Sequence, residues 1–155
     1  MGMYTEIFFR AELARDVPTE VVEALKRMIS WDYGRDHTNV PDHELFKCPR
    51  WDLLGCGDSA YFPVTASKIY QDDYSKQWNV LLLSNLKNYD GEIGKFFDWI
   101  DQYVDEPEGK FLGYQLYEEN DTPLLYHRVS EKNYFKWDKD QYEYWKNYYE
   151  ENKAK

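Results

Sequence analysis

The chain has few of the features by which a sequence indicates its chemistry. It contains two cysteines, too few for the disulfide framework of a small secreted scaffold. It also lacks a C-x-x-C pair, an H-E-x-x-H motif, a G-x-S-x-G elbow and a phosphate-binding glycine loop. Because no motif supports catalysis, we expect a protein that is not an enzyme.

Long apolar segments are lacking too. Residues 1–13 are interrupted by Glu6, Arg10 and Glu12, so they do not form a secretory signal, and no run approaches the length of a membrane span. We therefore expect a cytoplasmic protein without a membrane partner.

Basic residues are in the minority, since 19 Lys and Arg stand against 29 Asp and Glu, for a net charge of −10. A phosphate backbone would be repelled by this charge, which argues against direct nucleic-acid binding. The acidity suits a basic protein partner. The alternative is that it only keeps the protein in solution.

The clearest structural pattern in the sequence lies in residues 78–104. The short apolar run 79–83 predicts a strand buried on both sides. Asp90 and Gly91 lie in a turn, where the Asp90 carboxylate can accept hydrogen bonds from the first amides of a helix. The apolar residues that follow have helical spacing and predict an amphipathic helix: Ile93, Phe96, Phe97, Ile100, Tyr103 and Val104.

The remaining periodic segments complete the predicted fold. Residues 4–13 alternate as a strand, residues 18–31 form an amphipathic helix, and 111–118 with 124–129 form a closing hairpin. Residues 51–56 and 61–70 predict another strand pair, after an irregular stretch over 32–50. These elements predict an α+β domain over 1–135, an antiparallel sheet with two helices on one face as in a ferredoxin-like sandwich.

A C-terminal helical extension is predicted over residues 136–155. Tyr142, Trp145 and Tyr149 would lie on one side of this helix, which would dock on the domain.

Four residues of metal-binding type lie in or beside the irregular stretch: His37, His43, Cys48 and Cys56. A tetrahedral set of thiolates and imidazoles would bind zinc and order a loop that lacks its own core. However, seven residues separate the cysteines and five separate the histidines, unlike the close pairs of zinc fingers. These departures favour the alternative of buried cysteines and exposed histidines.

Carboxylates are concentrated on the predicted amphipathic helix within residues 78–104 and in the hairpin after it. Asp98, Asp101 and Asp105 share the polar helix face, and Glu118 and Glu119 follow in the hairpin. Carboxylates one helical turn apart lie about 5–6 Å from each other, close to the phosphate spacing of a nucleic-acid strand. Such a surface is suited to the basic groove of a nucleic-acid enzyme, although an ordinary solvated face has the same composition.

Four segments resemble small accessory proteins encoded by phages and prophages. They are YTEIFFRAEL (4–13), PRWDLLGCG (49–57), LKNYDGEIGKFFDWIDQYV (86–104) and FLGYQLYEENDTPLLY (111–126). The resemblance implies antagonism of host defence, for example inhibition of CRISPR effector nucleases.

The leading hypothesis is therefore a non-enzymatic acidic protein that inhibits a basic, nucleic-acid-handling host protein such as a nuclease. One alternative is an immunity protein that neutralises a basic nuclease toxin. Another is a structural adaptor domain stabilised by zinc. An enzyme would need a site that combines Cys56, a histidine and carboxylates.

Overall fold

Five strands in one antiparallel sheet and two α-helices form the parts of the chain that the computed structural model describes, residues 3–30 and 40–128. The strands are β1 (Thr5–Glu12), β2 (Lys68–Gln71), β3 (Trp78–Leu86), β4 (Phe111–Tyr117) and β5 (Leu124–His127), and the helices are α1 (Thr19–Ile29) and α2 (Glu92–Ile100). The strand order across the sheet is β2-β3-β1-β4-β5. The predicted α+β class with an antiparallel sheet is confirmed.

Strand β1 is the central strand of this sheet. It pairs with β3 along its whole length and with β4 over its first five residues. Its side chains alternate, so that Ile7, Phe9 and Ala11 are buried on the inner face whereas Arg10 and Glu12 are exposed. Burial of a large apolar side chain stabilises the fold by roughly 1.5–3 kcal/mol. A shift of one residue in register would expose this whole inner face.

Both helices bury apolar side chains in the core on the inner face of the sheet. The Phe9 ring meets two rings of α2 edge-on, with centroid distances of 5.0 Å to Phe96 and 5.8 Å to Phe97. From α1 the core receives Val21, Val22, Ala24, Leu25 and Met28. The sheet and the two helices therefore share one set of buried contacts.

The start of α2 differs from the sequence prediction. Its N-cap is Gly91, whose φ of 71° is readily adopted by glycine, and no side chain caps the helix from this position. The Ile93 amide instead donates to Asn88 Oδ1 at 2.9 Å. The prediction that Asp90 caps the helix was wrong. A 3₁₀-helix over Asp101–Tyr103 follows α2.

The predicted strand pair at 51–56 and 61–70 was also wrong for most of its length. Trp51–Leu53 is a 3₁₀-helix, and only Lys68–Gln71 forms a strand. The Gly55 amide donates to the Met28 carbonyl of α1 at 3.0 Å, and Leu54 is fully buried. The apolar residues of this segment pack against α1. They therefore do not alternate between the two faces of a sheet.

Strands β1 and β3, both helices and the β4–β5 hairpin lie where the sequence placed them, within a few residues at their ends. The irregular stretch contains a 3₁₀-helix at Glu44–Lys47. The predicted C-terminal helix over 136–155 and the domain boundary at residue 135 lie outside the described residues.

Gly113 gives a direct test of the central pairing. A Cβ at this position of β4 would overlap the carbonyl oxygen of Phe8 in β1. We expect Gly113→Ala to destabilise the protein by roughly 2–3 kcal/mol, because neither strand can move without disturbing the other. Thermal or urea unfolding measures this loss.

Gly109→Ala is the matched control. Gly109 has a φ of 85° with nothing within 4 Å of the added carbon, so only backbone strain of about 1–2 kcal/mol is expected. Equal losses in the two variants would show that close contact between β1 and β4 is not what requires glycine at position 113.

Candidate functional site

The structure uses His43 as a hydrogen-bonding residue. Its Nδ1 accepts the Leu45 amide at 3.1 Å, and this contact caps the 3₁₀-helix Glu44–Lys47. Its Nε2 lies 2.9 Å from Asp98 Oδ2 on α2. Because Nδ1 is an acceptor, Nε2 carries the proton that Asp98 accepts. Both ring nitrogens are thus occupied by protein contacts.

The two cysteines are buried and neither forms a disulfide bond. Cys48 Sγ lies 3.4 Å from Lys95 Nζ of α2, whereas Cys56 Sγ lies 3.3 Å from the Asp52 carbonyl. Burial, followed by the nearby carboxylates, raises the pKa of Cys56 to about 11. The fourth candidate ligand, His37, lies outside the described residues.

Across residues 3–30 and 40–128, no group of three or more His, Cys, Asp and Glu side chains is arranged to hold a metal ion. The observed contacts of His43, Cys48 and Cys56 are made with other partners. The zinc site stays a prediction from sequence, whereas His43 and Cys48 have another use in the structure.

That use is to attach the irregular stretch to α2. Arg50 extends this attachment, with Nη1 3.2 Å from Asp90 Oδ2 and 3.8 Å from Glu92 Oε2. Its guanidinium also lies over the Tyr89 ring, 5.2 Å from the centroid. The segment is thereby held by side chains at several points along the helix.

Three predicted binding residues already have partners in the structure. Asp98 contacts His43, and Asp101 Oδ2 accepts a hydrogen bond from Arg128 Nη1 at 2.7 Å. Asp105 Oδ2 accepts from Gln77 Nε2 at 2.6 Å. The negative charge of Asp101 is therefore compensated locally, whereas Asp98 receives a hydrogen bond from a neutral imidazole.

Glu118 and Glu119 lie at the other end of the sheet. The Glu118 amide donates to the Tyr4 carbonyl just before β1, whereas the Asp105 amide donates to Glu12 at the end of β1. Asp105 and Glu118 are therefore separated by the length of β1, about 23 Å at ~3.3 Å per residue. The structure does not bring the five predicted binding carboxylates into one surface.

Around Glu118 the structure forms a different group, which we name the tyrosine–carboxylate surface: Glu6, Tyr61, Tyr114, Glu118 and Glu119. The Tyr114 hydroxyl donates to Glu6 across the β1–β4 pairing. Burial, then the charges of Glu6 and Glu118, raise the pKa of Tyr61. Tyr117 is not part of this group, because it pairs with Thr5 and so lies on the inner face of the sheet, opposite to Glu6 and Tyr114. Carboxylates and phenol rings thus share one electrostatic environment.

A buried asparagine positions the segment that carries Tyr61. Asn85 of β3 is fully buried, and its Nδ2 donates to the Phe62 carbonyl at 2.7 Å. Its Oδ1 accepts from Ser59 Oγ at 2.6 Å. These bonds satisfy a costly buried amide and fix the chain on both sides of Tyr61. The Tyr61 side chain remains 40% exposed.

The outer sheet face beside this surface is unusually aromatic. Phe8 stacks on Phe111 and Tyr114, with centroid distances of 6.4 Å and 5.6 Å. Phe111, Leu125 and Tyr70 are 43%, 39% and 49% exposed. An antiparallel sheet with one solvated face usually carries polar residues there. Exposed apolar side chains in such a position indicate a contact surface.

Sequence reasoning found Glu118 and Glu119 but not the other members of this surface. The alternation of β1 placed Glu6 and Phe8 on the same face and could have suggested the first of them. No local pattern identifies Tyr61, because its position depends on a hydrogen bond from Asn85 of strand β3, which is distant in sequence.

Comparison of the chain with protein-family models, with curated proteins and with solved structures gave no match. Among the described residues, none of the helices combines the length and the apolar character needed to cross a membrane. Function is consequently argued from the surface itself.

Glu92 allows a test of how the irregular stretch is attached to α2. Its side chain is fully buried, Oε1 accepts the Asp90 amide at 2.8 Å, and burial raises its pKa above the ordinary value of 4.5. The folded protein therefore binds this proton more tightly than the unfolded chain. The resulting stabilisation is complete below the unfolded pKa and is lost as pH rises through the folded pKa.

Glu92→Gln removes this titration and keeps an oxygen for the Asp90 amide. We expect its melting temperature relative to the wild type to rise between about pH 4 and about pH 8. The exposed Glu119→Gln substitution serves as the control. If the difference in melting temperature between Glu92→Gln and the wild type stays constant over this range, proton binding by Glu92 does not stabilise the folded protein.

Proposed function

We propose that the protein is a non-enzymatic binding protein that inhibits a basic, nucleic-acid-handling host protein, of the anti-CRISPR type. We propose further that it contacts this partner through the tyrosine–carboxylate surface. This choice is supported by carboxylates whose negative charge is not balanced by a nearby basic side chain. In the described part of the chain, Glu6, Glu118 and Glu119 have no basic side chain within 4.0 Å.

The chemistry of this surface is suited to arginine. Arginine pairs with carboxylates through a planar set of donors and also stacks on aromatic rings. The protein contains one example of this combination, because Arg50 pairs with Asp90 and lies over the Tyr89 ring. Tyr61, which is under the electrostatic influence of Glu6 and Glu118, would offer a partner's arginine the same two kinds of contact.

Inhibition would follow from occupation of a basic groove. Arginines that bind phosphates would instead contact carboxylates and phenol rings, and the net charge of −10 would attract the partner over a longer distance. Asp98 and Asp101 would add to this long-range attraction only, since each already has a cationic or hydrogen-bonding partner. Such effectors act in the cytoplasm, which is the compartment we propose.

The finer fold assignment, a ferredoxin-like sandwich, is also proposed. The order β2-β3-β1-β4 with all neighbours antiparallel, and with α1 after β1 and α2 after β3, is that of two interleaved βαβ units. Strand β5 would then be an addition at the β4 edge.

The test is inhibition of DNA cleavage by a panel of purified RNA-guided nucleases, with affinity for each measured at several salt concentrations. We expect inhibition of a member of the panel with an affinity that falls as salt rises. Glu118→Lys with Glu119→Lys should weaken binding about tenfold or more, which corresponds to ~1.4 kcal/mol.

The control is Asp16→Lys with Asp73→Lys, because both residues are exposed and the net charge changes equally. This pair should weaken binding far less. Equal weakening by the two pairs would remove the tyrosine–carboxylate surface from consideration. Unimpaired cleavage by every nuclease in the panel would overturn the anti-CRISPR assignment.

A further inference from the structure

Cys48 and Lys95 form a pair of nucleophilic groups that the proposed binding surface does not use. Lys95 Nζ lies 3.4 Å from Cys48 Sγ, and the contact joins the end of the 3₁₀-helix Glu44–Lys47 to the middle of α2. The other atoms near Sγ are the carbonyl oxygens of Glu44 at 3.7 Å and Asp90 at 3.8 Å. The lysine nitrogen is therefore the nucleophile closest to this sulfur.

The environment of Cys56 is different, although its sulfur is also buried. The charged groups around Cys56 are the carboxylates of Asp52 and Asp58. Burial raises the pKa of both thiols, but Lys95 opposes this rise at Cys48, whereas Asp52 and Asp58 add to it at Cys56. Cys56 is consequently an internal control for any chemistry that depends on the neighbouring amine.

We propose that Cys48 and Lys95 form a site of reversible oxidative cross-linking, in which a peroxide joins the cysteine sulfur to the lysine nitrogen as a sulfenamide. In the first step, sulfur gives two electrons to hydrogen peroxide, the O–O bond breaks, and sulfenic acid and water form. In the second step, the deprotonated amine of Lys95 attacks sulfur, the S–N bond forms and the S–O bond breaks. The departing hydroxide takes the amine proton and leaves as water.

The balance of the reaction is simple. Thiol, neutral amine and one hydrogen peroxide give one sulfenamide and two waters, and the protein loses two hydrogen atoms. The lysine must move from contact distance to bonding distance, which its flexible four-carbon side chain permits. A thiol reductant returns both residues to their starting forms.

The cross-link would have a structural consequence in this fold. It would close the chain between the 3₁₀-helix and α2, at the place where His43 and Arg50 already attach the irregular stretch. A covalent closure restricts the unfolded chain and raises the melting temperature of the oxidised protein. This inference does not depend on the proposed binding partner.

The experiment is peptide mapping of the full chain after treatment with hydrogen peroxide. Free thiols are alkylated, the protein is digested without reductant, and the peptides are identified by mass spectrometry. We expect a peptide containing Cys48 joined to one containing Lys95, with a mass two hydrogen atoms below their sum. Dithiothreitol should remove this species.

Three variants make the result specific. Cys56→Ser should keep the joined peptide, whereas Cys48→Ser and Lys95→Arg should lose it. The wild-type digest decides the question even if a variant folds poorly. Recovery of Cys48 as an alkylated thiol or as sulfinic acid, without the joined peptide, would overturn the proposal. A joined peptide in Lys95→Arg would overturn the role of Lys95.

Discussion

Pairing of β1 on both of its sides is the constraint on which the rest of the structure depends. Because β3 and β4 both hydrogen-bond to β1, their positions relative to each other follow from its register. The buried alternation of Ile7, Phe9 and Ala11 fixes that register, and α2 packs its phenylalanine rings on Phe9. The outer residues of β1, among them Glu6 and Phe8, are thereby fixed beside Tyr114.

Attachment of the irregular stretch to α2 is a second constraint, and it combines polar and apolar contacts. Phe46 meets the Trp99 ring of α2 at 5.0 Å and Trp51 at 4.9 Å, beneath the contacts of His43, Cys48 and Arg50. From the sequence, a stretch of this length is expected to be functional or tied down, with zinc as one hypothesis and buried cysteines with exposed histidines as the favoured alternative. Imidazole and thiol groups suit zinc, but they also suit hydrogen bonds to the Asp98 carboxylate and the Lys95 ammonium, and spacing alone does not decide between these uses.

The five predicted binding carboxylates show which properties a local sequence pattern can predict and which it cannot. The five predicted carboxylates are near each other in sequence, yet β4 carries the chain from Asp105 at one end of the sheet to Glu118 at the other. Periodicity predicted the polar face of α2, but the partners of its aspartates belong to distant segments. The short 3₁₀-helix Trp51–Leu53 beneath α1 was predicted as part of a strand, because a few apolar residues have no distinctive period.

By itself the sequence determined the α+β class, strands β1 and β3, the apolar faces of both helices and the strong negative charge, because these properties follow from residue type and period along a continuous segment. The tertiary structure decided which carboxylates are compensated and which stand beside exposed tyrosines. It also decided that Cys48 contacts Lys95 and that Tyr61 lies within the electrostatic influence of Glu6. These pairs come from different elements, so their distances depend on strand order and helix packing, which no local pattern records.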